Sequence, residues 1–226
     1  MCFSATASFT ASGVLSGTAF FTLRNLRSKS QLLFALYPLL FAIHQFAEGI
    51  VWVTLSSGNY GTLNLIATTV YLLFSHMIAL TYFPLSIYLM EKSPRRKTIM
   101  FGFVIAGVAL SLCALTIIFI LHGFSSQISS CGHIDYVSYT FSSDYLVRYN
   151  SLLKYIYITV VCANFFIASD KRLMIMGALF GSGFVISYQW FTNTFQSVWC
   201  FFAAIISMLV YVYIRFPKKN SNHSRQ

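Results

Sequence analysis

Residues 32–55 read LLFALYPLLFAIHQFAEGIVWVTL, 24 residues with one formal charge, at Glu48. A helix needs about 20 predominantly apolar residues to cross a bilayer. Lipid offers no partner to a backbone N–H or C=O, so a segment of this kind has to close its hydrogen bonds internally, as a helix. Six further runs have the same character, at about 4–23, 64–90, 99–121, 149–168, 173–191 and 197–214. The two-residue alternation of a barrel strand is absent from them. The expected fold is therefore all-α: one seven-helix transmembrane bundle over residues 1–216, with 217–226 as a disordered cytoplasmic tail.

Composition agrees. The chain is 57% hydrophobic and 18% aromatic, with only 9% charged residues. A soluble domain carries roughly 25% charged residues. The formal net charge of +10 would suit a nucleic-acid binder only if the basic residues gathered on a polar domain. They lie instead at the ends of apolar runs, which argues against nucleic acid and for a bilayer with anionic headgroups on its cytoplasmic side.

The distribution of those charges orients the chain. Arg24, Arg27 and Lys29 follow the first run, and Lys92, Arg95, Arg96 and Lys97 follow the third. Lys171 and Arg172 follow the fifth, and Arg215, Lys218 and Lys219 follow the last. The second and sixth connections carry no charge, and the long fourth carries only Arg148 among basic residues. The positive-inside rule then places the N-terminus outside and the C-terminus in the cytoplasm, in a plasma (inner) membrane crossed seven times. The first run precedes its positive charges, so it is expected to stay as a helix and not to be cleaved as a signal.

Small residues mark close packing. Gly13 and Gly17, and Gly177 and Gly181, sit at GxxxG spacing and are expected at helix contacts, with a homo-oligomer as one further outcome. Pro38 and Pro84 are expected to kink their helices. No proline lies between Pro94 and Pro217, so a repeat built on matching prolines in both halves is excluded. The last run contains no lysine for a retinal Schiff base. Behind Gly181-Ser182-Gly183 the only histidine is His223, in the tail, which leaves no base for a serine protease.

Ionisable residues inside a membrane are functional candidates by default. His44 and Glu48 are four apart and share a helical face, with Gln45 beside them and Trp52 continuing the face. His76 lies near the middle of the third run. HxxxE plus a histidine from a neighbour is compatible with zinc or iron on His44, Glu48 and His76. Such a centre would hydrolyse a lipid or other amphiphile, with Glu48 as ligand or general base. The same residues also suit a proton relay in a transporter, channel or sensor, or a merely hydrogen-bonded polar core. Gln189, Gln196 and Lys154 are expected at similar depth. Lys154 either pairs with Glu48 or snorkels to the interface. Cys2, Cys131 and Cys200 map to the outer side, where a disulfide among them is one outcome. The fourth connection, 123–149, is long, with metal-capable Cys131 and His133, and an aromatic cap is the plainer expectation for it.

Met1-Cys2-Phe3-Ser4-Ala5, with Ala7-Ser8-Phe9, resembles the opening of an uncharacterised family of small integral membrane proteins. The likeness continues through Pro38-Leu39-Leu40-Phe41-Ala42 with Gln45 and Glu48-Gly49, and through Ser197-Val198-Trp199-Cys200-Phe201-Phe202-Ala203-Ala204. That family has no assigned activity. The resemblance implies no function and draws attention to Cys2, Glu48 and Cys200.

Overall fold

The computed structural model describes residues 4–58, 60–116, 118–119, 124–128, 134–138, 144–191 and 194–217. Among them the chain forms seven long helical segments. These are α1 (Ala5–Arg24), α2 (Lys29–Ser56), α3 (Thr62–Met90), α4 (Pro94–Leu115), α5 (Asp144–Ile167), α6 (Lys171–Trp190) and α7 (Phe195–Arg215). Five of them, α2, α3, α4, α6 and α7, are long and apolar enough to cross a membrane, and α5 contributes the shorter apolar stretch Leu152–Ile167. Large apolar side chains such as Phe20, Ile66, Leu112 and Val185 point outward. A surface of that kind suits lipid and not water.

One departure from an all-α chain lies in the fourth connection. β1 (Phe124–Ile128) and β2 (Ile134–Ser138) pair antiparallel, with Phe124 opposite Ser138 and Ile128 opposite Ile134. The hairpin sits over the end of α2 and the start of α3. Ile134 is buried with Val51, Trp52, Leu55 and Ala67. The Thr68 hydroxyl donates to Ser126 Oγ at 3.1 Å, and Ser126 in turn donates to Asn64 Oδ1 at 3.2 Å. Cys2, Cys131 and His133 lie outside the described residues.

The opposite end of the bundle is tied by charge. Glu91, just beyond α3, accepts from the backbone N–H groups of Lys92, Ser93 and Ser169 and from the Ser169 hydroxyl, all at 2.7–2.8 Å. Arg96 donates to the last carbonyls of α5, Ile167 and Ala168, at 2.8 and 2.9 Å. A cation there completes orphan carbonyls and meets the negative helix end. Asp170 caps α6, pairs with Arg172 at 2.8 Å, and Arg172 reaches the Phe216 carbonyl.

The irregularities of α2 and α3 follow from prolines and from one wide turn. α2 breaks at Leu36, two residues before Pro38. The Tyr82 hydroxyl donates to the nearby Leu33 carbonyl at 2.8 Å. Pro84 cannot donate to the Leu80 carbonyl, and α4 closes on that oxygen through Gly107. A Cβ at Gly107 would collide with the Leu80 carbonyl oxygen. Asn164 donates to the Pro84 carbonyl at 2.9 Å. Gly49 and Gly177 are close approaches of the same kind, onto Phe9 and Phe165. Gly13, Gly17 and Gly181 are not, since a Cβ there would meet nothing within 4 Å. The buried face of α1 is Ser8, Ser12, Leu15, Ala19 and Thr22, one helical stripe that the GxxxG spacing misses.

Two predictions follow from this packing. Gly107→Ala pushes a methyl into backbone that cannot yield, and should cost about 1–3 kcal/mol. Gly13→Ala has open space and should lie within about 0.5 kcal/mol of wild type. Denaturant unfolding of the purified protein compares them, and equal effects would contradict the close-approach account. Glu91 gives the second. Burial pushes its carboxyl up, but the hydrogen bonds from Ser93, Ser169 and Lys92 outweigh that and hold it below the ordinary 4.5. Its contribution is fully present above that value and is lost as pH falls through the lower folded one. Acidification from about pH 6 to about pH 3 should therefore lower the melting temperature of wild type more than that of Glu91→Gln. Parallel curves would contradict this.

Candidate functional site

A buried polar cluster forms where the hairpin-side half of α2 meets α3, α7 and β2. α2 supplies His44, Glu48 and Trp52, four residues apart and so on one face, with Gln45 beside them. α3 supplies Tyr71, β2 supplies Tyr136, and the first two turns of α7 supply Ser197 and Cys200.

Glu48 is the centre, with 1% of its surface exposed. It accepts from the Ser197 hydroxyl and from Gln45 Nε2–H at 3.1 Å. Ser197 stands in the first turn of α7, so the positive end of that helix lies beside the carboxylate. Tyr71, Tyr136 and Cys200 are close enough to Glu48 to feel its charge. Cys200 is a buried free thiol facing Tyr71.

Aromatic rings wall the cluster. The His44 ring lies 4.2 Å from Tyr71 and 4.3 Å from Phe74. Tyr71 and Tyr136 stack at 3.9 Å and 11°. The long fourth connection thus places a tyrosine over the cluster, as an aromatic cap.

The polar atoms of this cluster are largely unanswered. Both ring nitrogens of His44, Gln45 Oε1 and Trp52 Nε1 are buried without a hydrogen-bond partner. The hydroxyls of Tyr71 and Tyr136 have no oxygen or nitrogen partner. An unsatisfied buried polar atom costs about 1–3 kcal/mol. Native proteins carry few, and each asks for an explanation. Here six fall in one place, around a carboxylate that forms no ion pair among the described residues.

Several residues singled out by sequence are elsewhere. His76 lies on a π-helical turn, Phe74–Ile78. Its Nδ1 is engaged with Ser75 Oγ and the Leu72 carbonyl, both at 3.2 Å. An extra residue in a turn advances the helix by roughly 100°, which breaks the phase that α-helical counting assumes. The wide turn also frees carbonyls: Tyr157 donates to Ser75 O at 2.6 Å, and Ser111 to His76 O at 2.9 Å. Gln196 donates to Ser75 Oγ at 2.6 Å and serves this turn, not Glu48. Among the described residues no group of three His, Cys, Asp or Glu side chains comes together to hold a metal ion, so His44, Glu48 and His76 do not assemble as a zinc or iron ligand set.

Lys154 does not pair with Glu48. Its ammonium lies 5.5 Å from the ring centres of both Tyr188 and Phe195. From there it favours the charged form of Asp135 in β2. Burial pushes that carboxyl up, and the Gln127 amide and Lys154 pull against it. Gln189 is exposed and takes no part.

Tyr71, Tyr136 and Ser197 were not singled out as site residues by sequence. Ser197 follows Gln196 at the start of α7, a run of two polar residues at the depth of Glu48, and that was a usable signal. Tyr71 and Tyr136 had none beyond being aromatic.

The chain belongs to a family of unknown function, DUF6629, whose model matches residues 1–225. No curated protein and no solved structure matches it.

Proposed function

We propose that this is a small-solute transporter or sensor of the plasma membrane that works at the Glu48 cluster. In this reading all seven helices span the bilayer, the N-terminus and the hairpin face outward, and the C-terminus is cytoplasmic. The charge pattern supports that orientation: the basic residues gather at the end of the bundle away from the hairpin, where anionic headgroups would meet them.

One observation carries the functional reading, the set of unpartnered buried polar atoms around a carboxylate that has no cation partner among the described residues. A packed core that served stability alone would gain from apolar replacements at these positions. The set mixes donors, at Trp52, Tyr71 and Tyr136, with an acceptor at Gln45, while His44 offers one of each when neutral and the Glu48 carboxylate lies among them. Such a lining suits a small hydrogen-bonding solute. Tyr136 on the hairpin stacks on Tyr71 of α3 beside this lining. A hydrolytic metal centre on His44, Glu48 and His76 is not favoured, because His76 is bonded within its own turn.

The test is a thermal-unfolding screen of the purified protein in lipid nanodiscs against amino acids, sugars, carboxylates and amines. Wild type should be stabilised by a chemically coherent group of them, as mass action requires of any ligand that binds the folded state alone. Glu48→Gln, itself folded by its own unfolding transition, should lose that response. A response identical in both proteins, or none to any solute, would sink this reading.

A further inference from the structure

We infer that the Glu48 cluster binds a dehydrated monovalent metal cation, of sodium or potassium size, between Glu48, Gln45 Oε1 and the hydroxyls of Tyr71 and Tyr136. The inference rests on the solute-site reading and names the ligand that completes it.

The charge balance of the site comes first. The chain holds five acidic residues. Glu91, Asp135, Asp144 and Asp170 lie in connections or at helix starts, and Glu48 alone lies inside a span. It is not in an ion pair among the described residues, and Lys154 is turned to Tyr188 and Phe195. A buried charge without a counter-charge is expensive. One positive charge cancels it. A divalent ion would leave a net positive charge in an apolar bundle, and such ions ordinarily recruit several carboxylates or waters.

Shape and donor type narrow the choice further. Tyr71 lies against His44 at 4.2 Å and against Tyr136 at 3.9 Å. An organic ammonium needs a cavity for its carbon body as well as acceptors, whereas a bare metal cation needs only the oxygens. Gln45 Oε1 and the Tyr136 hydroxyl are buried without a partner, and the Tyr71 hydroxyl has only the Cys200 thiol beside it. Gln45 Nε2–H donates to Glu48 at 3.1 Å, so the amide that carries Oε1 sits beside the carboxylate, and both tyrosines lie within reach of its charge. A proton on Glu48 would also cancel the charge, but it makes a single hydrogen bond and leaves the other oxygens unanswered. A metal cation engages them together. The other titratable groups facing Glu48 are His44, across Tyr71, and Cys200 on α7.

The experiment is a cation titration of the full-length protein in nanodiscs. Sodium or potassium chloride replaces N-methylglucamine chloride at constant ionic strength and pH, with thermal unfolding as the readout. Wild type should gain stability saturably with one of the two metal ions, and magnesium or calcium at equal concentration should not substitute. Glu48→Gln should abolish the response. Tyr136→Phe removes one ligand oxygen and leaves the ring stack, so it should weaken the midpoint about tenfold even if Glu48→Gln does not fold. Glu91→Gln, at the far end of the bundle, should keep the wild-type midpoint. A response that follows ionic strength alone, that depends on pH and not on the metal, or that survives unchanged in Tyr136→Phe would overturn the cation site. Solute stabilisation that is indifferent to sodium and potassium would remove the cation and keep the solute site. A cation response with no solute response would do the reverse.

Discussion

Hydrocarbon does not hydrogen-bond, and that constraint orders most of what is seen in this chain. Two breaks in the regular i to i−4 ladder of α3 are answered by side chains from neighbouring helices. The wide turn at Phe74–Ile78 is answered by Tyr157 and Ser111. The Pro84 kink is answered by Asn164 and by the close approach of Gly107. These are long-range contacts that join α3 to α4 and α5, so the irregularities of one helix fix the positions of two others. Against that background the unanswered atoms around Glu48 stand out. A structure that satisfies its distorted backbone so fully leaves six side-chain atoms unpartnered in one cluster.

The membrane character of the chain was legible because it rests on length and composition. Residues 32–55 read as a span, and α2 occupies Lys29–Ser56. Glu48 was legible for the same reason: an acid inside an apolar run is visible without a structure. His76 was misplaced because its partners depend on helical phase, and a π turn is not announced by residue type. Gly13 and Gly17 were misread because spacing alone does not tell a packed face from a lipid-facing one. The close approaches are instead at Gly49, Gly107 and Gly177, single glycines set against a ring or a carbonyl. Tyr136 reaches the cluster through a hairpin formed 65 residues along the chain from Tyr71, a distance at which no local pattern speaks.

The two ends of the bundle divide the work. At the Glu91 end, acidic and basic side chains satisfy helix termini and lock α3, α5, α6 and the end of α7 together. At the hairpin end, charge is sparse and the carboxylate of Glu48 is held by neutral donors. The polar cluster thus lies in the half of the bundle where charge is sparse and the hairpin packs.

The most direct measurement is an experimental structure in lipid nanodiscs, at a resolution that shows bound ions and solvent. The account predicts non-protein density within hydrogen-bonding or coordination distance of Glu48, Gln45 and the Tyr71 and Tyr136 hydroxyls, and its loss in Glu48→Gln. A structure in which these groups bond only to one another, with no density among them, would contradict it.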